Sequence, residues 1–207
     1  MVLRNDLALI GEWIAKGSHV LDLGCGDGTL LAHLREMHQV TGYGLEIDDN
    51  NIELSIKAGV NVIHTDLNQG LSDFMDNSFD YVVMTQAIQT IRRPDKLLME
   101  MLRLGREGIV TFPNFGHWRA RFSLFFSGVM PMSRALPNEW YNTENIHLCT
   151  LRDFEKLCDL LDIQVLQRTV VDTKHRTSTA MRLRPNLFGE IALYRFRRKP
   201  TKIYLSK

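Results

Sequence analysis

The sequence predicts an α/β fold: a doubly wound, mostly parallel seven-stranded sheet with an aromatic and basic insertion after the fifth strand. Three observations predict it. Short apolar runs alternate with stretches of helical periodicity along the chain, the pattern of a parallel sheet covered by helices. A turn carrying three glycines, Gly24, Gly26 and Gly28, follows the first of these runs. Acidic residues then recur at strand ends, Glu46 after the second run and Asp66 after the third.

The elements follow in order. His19 to Leu23 is a short apolar strand, and after the glycine turn Thr29 to Met37 is amphipathic. Val40 to Leu45 is the second strand. Asp48, Asp49, Asn50 and Asn51 suit a helix N-terminus and Gly59 its C-terminal stop. Val60 to His64 and Phe79 to Met84 are the third and fourth strands. Pro94 opens a helix whose Leu97, Leu98, Met101 and Leu102 fall at helical spacing. Ile109 to Phe112 is the fifth strand, closed by Pro113 and Asn114. Leu151 to Leu161 is amphipathic again, and strands near 163–171 and 190–197 complete the sheet. We read one domain over residues 1–207. Within it, residues 114–150 form the insertion, rich in aromatics, Arg, Pro and Met, over the carboxyl edge of the sheet; it is a substrate lid, a partner surface or a packed helix.

Composition narrows the class. The longest apolar candidate, Phe122 to Met132, is interrupted by Ser123, Ser127, Gly128 and Pro131, well short of the ~20 residues of a spanning helix. The beginning, with Arg4, Asn5 and Asp6, lacks the apolar core of a secretory signal. Three irregularly spaced cysteines, Cys25, Cys149 and Cys158, indicate reduced thiols rather than a disulfide framework. The expected location is the cytoplasm, with no membrane partner. A net charge of +1 conceals an acidic first half and a basic tail that includes Arg195, Arg197, Arg198 and Lys199. The tail is a solvated strand end or an anion-binding surface; no nucleic-acid motif accompanies it.

Ligands of open α/β sheets bind beyond the carboxyl ends of the strands, where strand order reverses. The glycine turn falls there, and residues without a β-carbon let a ligand approach the backbone. Glu46 is placed to accept two ribose hydroxyls, and Asp66 either accepts an adenine amino group or caps the turn after it. Dinucleotide loops space their glycines G-x-G-x-x-G to seat a pyrophosphate. Here the spacing is G-x-G-x-G with Asp22 just before it, which suits a ligand carrying an ammonium group, such as S-adenosylmethionine (SAM). Asp22 binds that group or caps the turn. Gln86, after the fourth strand, lines the pocket or is plain loop. Cys25 reads as a small packing residue more readily than as a nucleophile. His117 and His147 fall near the expected pocket, no general base is assignable, and no metal-ligand cluster is visible.

Val20-Leu-Asp-Leu-Gly-Cys-Gly-Asp-Gly28, Gly44-Leu-Glu-Ile-Asp48 and His64-Thr-Asp-Leu67 resemble three motifs of the class I SAM-dependent methyltransferases, over residues 17 to about 165. That resemblance implies a Rossmann-like methyltransferase fold. It also implies a site for SAM or S-adenosylhomocysteine made by Asp22, Gly24, Cys25, Gly26, Gly28, Glu46, Ile47, Asp66, Leu67 and Gln86. A closer resemblance, over nearly the whole chain, is to the MetW family of bacterial methionine-biosynthesis proteins. It is carried by the segments Phe79 to Ile91, Pro113-Asn-Phe-Gly-His-Trp118 and Trp140 to Thr150. It implies a partner, homoserine O-acetyltransferase or succinyltransferase, with this chain as its activating or regulatory subunit and SAM or S-adenosylhomocysteine as the reporting ligand. The alternatives are an active methyltransferase on a small molecule and, using the basic tail, one acting on nucleic acid. The Asn/Asp-Pro-Pro-Tyr pattern of N-methyltransferases is absent after the fourth strand, where Thr85-Gln-Ala-Ile88 stands.

Overall fold

The computed structural model describes residues 5–133, 135–174 and 176–200. Arg4, Lys202 and Lys207, part of the charge reading above, lie outside them. In chain order the elements are α1 (Asn5–Trp13), β1 (His19–Leu23), α2 (Thr29–His38), β2 (Thr41–Glu46), α3 (Asp49–Lys57), β3 (Val62–His64), β4 (Phe79–Thr85), α4 (Pro94–Leu104), β5 (Gly105–Pro113), α5 (Trp118–Phe122), α6 (Leu151–Leu160), β6 (Ile163–Val171), α7 (Thr179–Leu183), α8 (Pro185–Phe188) and β7 (Ile191–Arg198). The strands form one sheet in the order β3-β2-β1-β4-β5-β7-β6. Pairing is parallel from β3 to β5, and β7 runs antiparallel between β5 and β6. The predicted doubly wound sheet is therefore present. Short α7 and α8 went unread because neither is long enough to display a helical period.

Side chains alternate between the two faces of each strand, and each face is apolar. Leu21, Leu23, Met84 and Phe112 pack with α4 and α6 on one side, around Phe154, Tyr194 and Phe196. Val20, Val83 and Ile109 pack with α1 and α2 on the other. A helix N-terminus leaves N–H groups to be satisfied, and side chains do so here: Asp48 accepts from Asn51 at α3, and Thr150 with Asp153 forms a capping box at α6.

The basic tail belongs to this sheet. Arg195 pairs with Glu107 of β5, Arg197 donates to Gln164 of β6, and Lys199 lies 3.5 Å from Asp159. The carboxyl end of β5 leads into the insertion, where α5 is followed by one wide turn over Ser123–Ser127 and then by irregular chain. Among the described residues no helix is long and apolar enough to cross a membrane.

One close approach fixes how β1 meets β2. A β-carbon on Gly44 would overlap the Cys25 side chain at the start of the glycine turn. Gly44→Ala is expected to destabilise the chain by about 1–3 kcal/mol, lowering the melting temperature by roughly 2–10 °C. Differential scanning calorimetry checks this.

Candidate functional site

Strand order reverses between β1 and β4, and ligands of open α/β sheets bind in the crevice beyond the carboxyl ends of the strands at such a point. The glycine turn is the wall contributed by β1. Gly24, Gly26 and Gly28 all adopt left-handed backbone, with φ of 71°, 56° and 75°. A β-carbon on Gly26 would meet nothing within 4 Å, so this stretch of backbone faces open space. One on Gly28 would lie 2.8 Å from Ser55 Oγ, so that glycine serves the packing of the turn against α3.

The turn is held from three directions. Gly24 and Cys25 donate their N–H groups to the Leu45 carbonyl at 2.8 and 3.0 Å. Ser55, buried on α3, donates to the Gly26 carbonyl at 2.9 Å. The Gly26 N–H donates to Glu46 Oε2 at 2.8 Å. Glu46 Oε1 also accepts from Ile47 and Asp48 N–H at 2.8 and 3.0 Å. Glu46 stands at the end of β2, buried and tied to the turn it faces.

Asp22, at the penultimate position of β1, is 1% exposed. Its Oδ1 has no hydrogen-bond partner. Burial first, and the Glu46 charge second, push its carboxyl up to about 7. A buried, unpaired carboxylate is costly, and no turn-capping bond accounts for this one. The geometry thus removes the capping alternative for Asp22. For Asp66 it supplies the cap: the carboxylate accepts from Asn68 N–H at 2.9 Å at the start of the short turn Leu67–Gln69. The bond from Asn68 N–H holds the Asp66 carboxyl below the usual range.

Of the other predicted residues, Ile47 is exposed beside Glu46, and Leu67 packs partly against the core. Cys25 contributes backbone only, because its side chain is buried, with Sγ 3.8 Å from Ser55 Oγ. Burial pushes its thiol up to about 12, which keeps it a neutral packing group. Gln86 is a non-glycine residue at φ 56°, held by donating its N–H to Thr111 O and Oγ1 at 2.9 and 3.0 Å. A left-handed non-glycine residue costs of order 1–3 kcal/mol and persists where its surroundings over-determine it. The β-carbon built on Gly24 would lie 3.5 Å from Ala87, so the loops after β1 and β4 meet at the switch point.

Two residues here escaped the sequence reading. Ser55 stands between Leu54 and Ile56 of α3, where a lone hydroxyl carries no sequence signal, yet it pins the turn. Gln89 is buried; its Nε2 donates to the Pro113 carbonyl at 3.1 Å and its backbone carbonyl accepts from Ile146 and His147 N–H. It thereby fastens the end of the insertion beside the β4 loop. His147 approaches the Arg92 carbonyl with Nε2 at 3.2 Å, and His117 lies in a separate cavity at the end of β5.

Comparison with known proteins gives a family and a fold. The sequence model of the family described as methionine biosynthesis protein MetW matches residues 4–196. The bifunctional methionine biosynthesis protein MetXA/MetW of Rhodopirellula baltica is 34% identical over 208 residues, 96% of this chain and 33% of that one. The ubiquinone/menaquinone biosynthesis C-methyltransferase UbiE of Pseudoalteromonas translucida is 30% identical over 113 residues, 51% of this chain and 44% of that one. The chain thus spans less than half the length of these relatives. Among solved structures, an S-adenosylmethionine dependent methyltransferase of Mesorhizobium loti superposes with a TM-score of 0.69 at 16% identity, over 94% of this chain and 98% of that one. The cyclase SpnF does so with 0.67 at 16% identity, over 95% and 81%. These two structures share the Rossmann-like fold of the SAM methyltransferases with this chain. The match over nearly the whole sequence, and the relative that is a third identical along it, decide the family: the chain belongs to the MetW family of methionine biosynthesis proteins.

Proposed function

We propose that this chain is a single SAM- or S-adenosylhomocysteine-binding domain of the cytoplasm that acts as an activating or regulatory subunit of homoserine O-acyltransferase. The observation that carries the ligand is the buried Asp22 carboxylate with an unpartnered oxygen beside an open glycine backbone. Asp22 and Glu46 make the crevice anionic, which opposes a pyrophosphate and favours a ligand bearing ammonium and sulfonium charges. In this reading Glu46 accepts the ribose hydroxyls, Asp22 the ammonium group and Asp66 the adenine amino group. Ile47 and Leu67 flank the adenine, the glycine turn provides close backbone approach, and Gln86 stands near the methyl end. Of the two ligands, S-adenosylmethionine alone would supply an activated methyl group. Transferring it demands chiefly alignment, and from an acidic acceptor also a base. His147 Nε2 lies against the Arg92 carbonyl and His117 lines a separate cavity, so neither stands as that base in this reading.

The partner assignment is supported by the bifunctional MetXA/MetW relative. Tethering two modules keeps each at high effective concentration about the other, an arrangement that suits functional coupling. The insertion offers a surface for it. Phe125, Phe126, Trp140 and Tyr141 are 82, 65, 72 and 70% exposed, and clustered exposed aromatics mark interaction sites. A second reading, an active methyltransferase on a small molecule, is favoured by the likeness to UbiE over half the chain. Turnover of labelled SAM with cell-extract metabolites distinguishes the two.

Three outcomes are expected. Glu46→Gln weakens S-adenosylhomocysteine binding tenfold or more, about the worth of one charge-assisted hydrogen bond, as read by calorimetry; unchanged affinity would remove the ribose role. Asp22 in the folded chain titrates near 7 rather than at its ordinary 3.8, so the folded state holds the extra proton between these values. Stability of the free chain therefore falls as pH rises from about 4 to about 7. Asp22→Asn raises stability at pH 8 by on the order of 4 kcal/mol, leaves it little changed near pH 4, and weakens ligand binding; a variant no more stable at pH 8 contradicts the burial argument. Finally, equimolar chain raises the rate of homoserine acylation by the acyltransferase of the same genome, and Phe125→Asp with Trp140→Asp abolishes that rise without altering the melting curve. No rise, with no co-elution of the two proteins, rejects the subunit reading.

A further inference from the structure

A cavity of about 380 Å³ lies at the end of β5, under the insertion. None of its lining residues belongs to the glycine turn, Glu46 or Asp66. His117 and Arg119 enter it from α5, Thr173 and Glu190 from the ends of β6 and β7, and Met132 and Leu136 from the irregular part of the insertion. Its volume is at the small end of the range for metabolite sites, about 300–1,000 Å³.

The charged residues lining it are of opposite sign, Glu190 half-buried and Arg119 exposed at its rim. Glu190 accepts the Thr173 N–H at 3.2 Å, and Arg119 lies over the Trp118 ring at 5.4 Å. Neither has an ion-pair partner among the described residues. His117 stands between them in electrostatic terms: the Glu190 charge raises its affinity for a proton and the Arg119 charge lowers it. Burial is the largest influence and lowers it further, so the ring is a neutral imidazole at pH 7, offering one donor and one acceptor.

The frame is rigid. Asn114 is buried; its Nδ2 donates to the Gly189 carbonyl at 2.8 Å and the Asn186 carbonyl at 3.2 Å, and its Oδ1 accepts from Gly116 N–H at 2.9 Å. Its own N–H donates to the Glu190 carbonyl at 2.8 Å. One asparagine thus fixes the chain that presents Glu190 against the chain that presents His117, which lowers the ordering cost of binding.

We propose that this cavity binds a small zwitterion of the α-amino acid class, with Glu190 taking the ammonium group, Arg119 the carboxylate and His117 a hydrogen bond to the ligand. A ligand with both charges satisfies both residues at once, whereas an anion or a cation alone leaves one charge unmatched. The proposal stands on the cavity and does not depend on the acyltransferase reading.

The test is calorimetric titration of the full chain with the protein amino acids and L-homoserine singly, then with the best binder N-acetylated or as its methyl ester. At least one free amino acid binds saturably, and blocking either end weakens it about tenfold or more. Glu190→Gln and Arg119→Met each weaken the free amino acid to a similar extent with unchanged melting curves. Affinity for S-adenosylhomocysteine, titrated separately on the same variants, stays as in the parent chain. The absence of saturable binding by any free amino acid overturns the proposal. So does binding indifferent to blocked ends or to both substitutions, and so does complete displacement by saturating S-adenosylhomocysteine, which would place the amino acid in the glycine crevice. Failure of the S-adenosylhomocysteine titration alone would bear on the cofactor reading and leave the cavity result standing.

Discussion

Three backbone N–H groups, from Gly26, Ile47 and Asp48, converge on the Glu46 carboxylate, and the carboxyl edge of the sheet at β1 and β2 is arranged around that convergence. The turn satisfies the Gly28 N–H itself, on the Cys25 carbonyl, but its other buried N–H groups must find partners outside it. Glu46 and the Leu45 carbonyl supply them from the neighbouring strand, so the turn after β1 is docked on the end of β2. Ser55 holds the opposite side, from α3. Gly44 lets Cys25 tuck beneath the turn, and α2 then leaves at the angle that buries Leu30, Leu31 and Leu34.

Asp22 works against this economy. It is buried next to the Glu46 charge without a partner for Oδ1, and nothing in the packing of β1 requires a carboxylate there. Residues that cost stability and are nonetheless present are where function is sought. The strained backbone of Gln86 lies on the loop facing the same crevice. An unpartnered carboxylate and a left-handed non-glycine residue thus sit on the two walls of the switch point, while Gln39, Asn77 and Asp162 adopt left-handed backbone elsewhere.

The fold does not name the reaction. A methyltransferase and a cyclase superpose on this chain about equally well at 16% identity, so the sheet is a scaffold on which sites and loops differ. The segment after β5 is one such loop region. It carries exposed aromatics on its outside and roofs a charged cavity on its inside, and it is fastened by Gln89 and Asn114 to the β4 loop and to the start of β7.

Much of this was legible in the residues. Period-two and period-3.6 apolar patterns placed β1 to β5, α2 to α4 and α6, because both sheet faces are covered and every element must bury one side. The glycine turn, Asp22 and Glu46 were legible because backbone approach and strand-end carboxylates have local signatures. Tertiary structure alone decided that β7 enters between β5 and β6 and turns the basic tail into a paired strand. It likewise decided that Asp66 caps a turn while Asp22 caps nothing, and that Ser55, Gln89 and Asn114 are structural anchors. Each of these depends on which distant carbonyl or N–H group lies within about 3 Å, and that distance is set by long-range strand order, which no local pattern of side chains encodes.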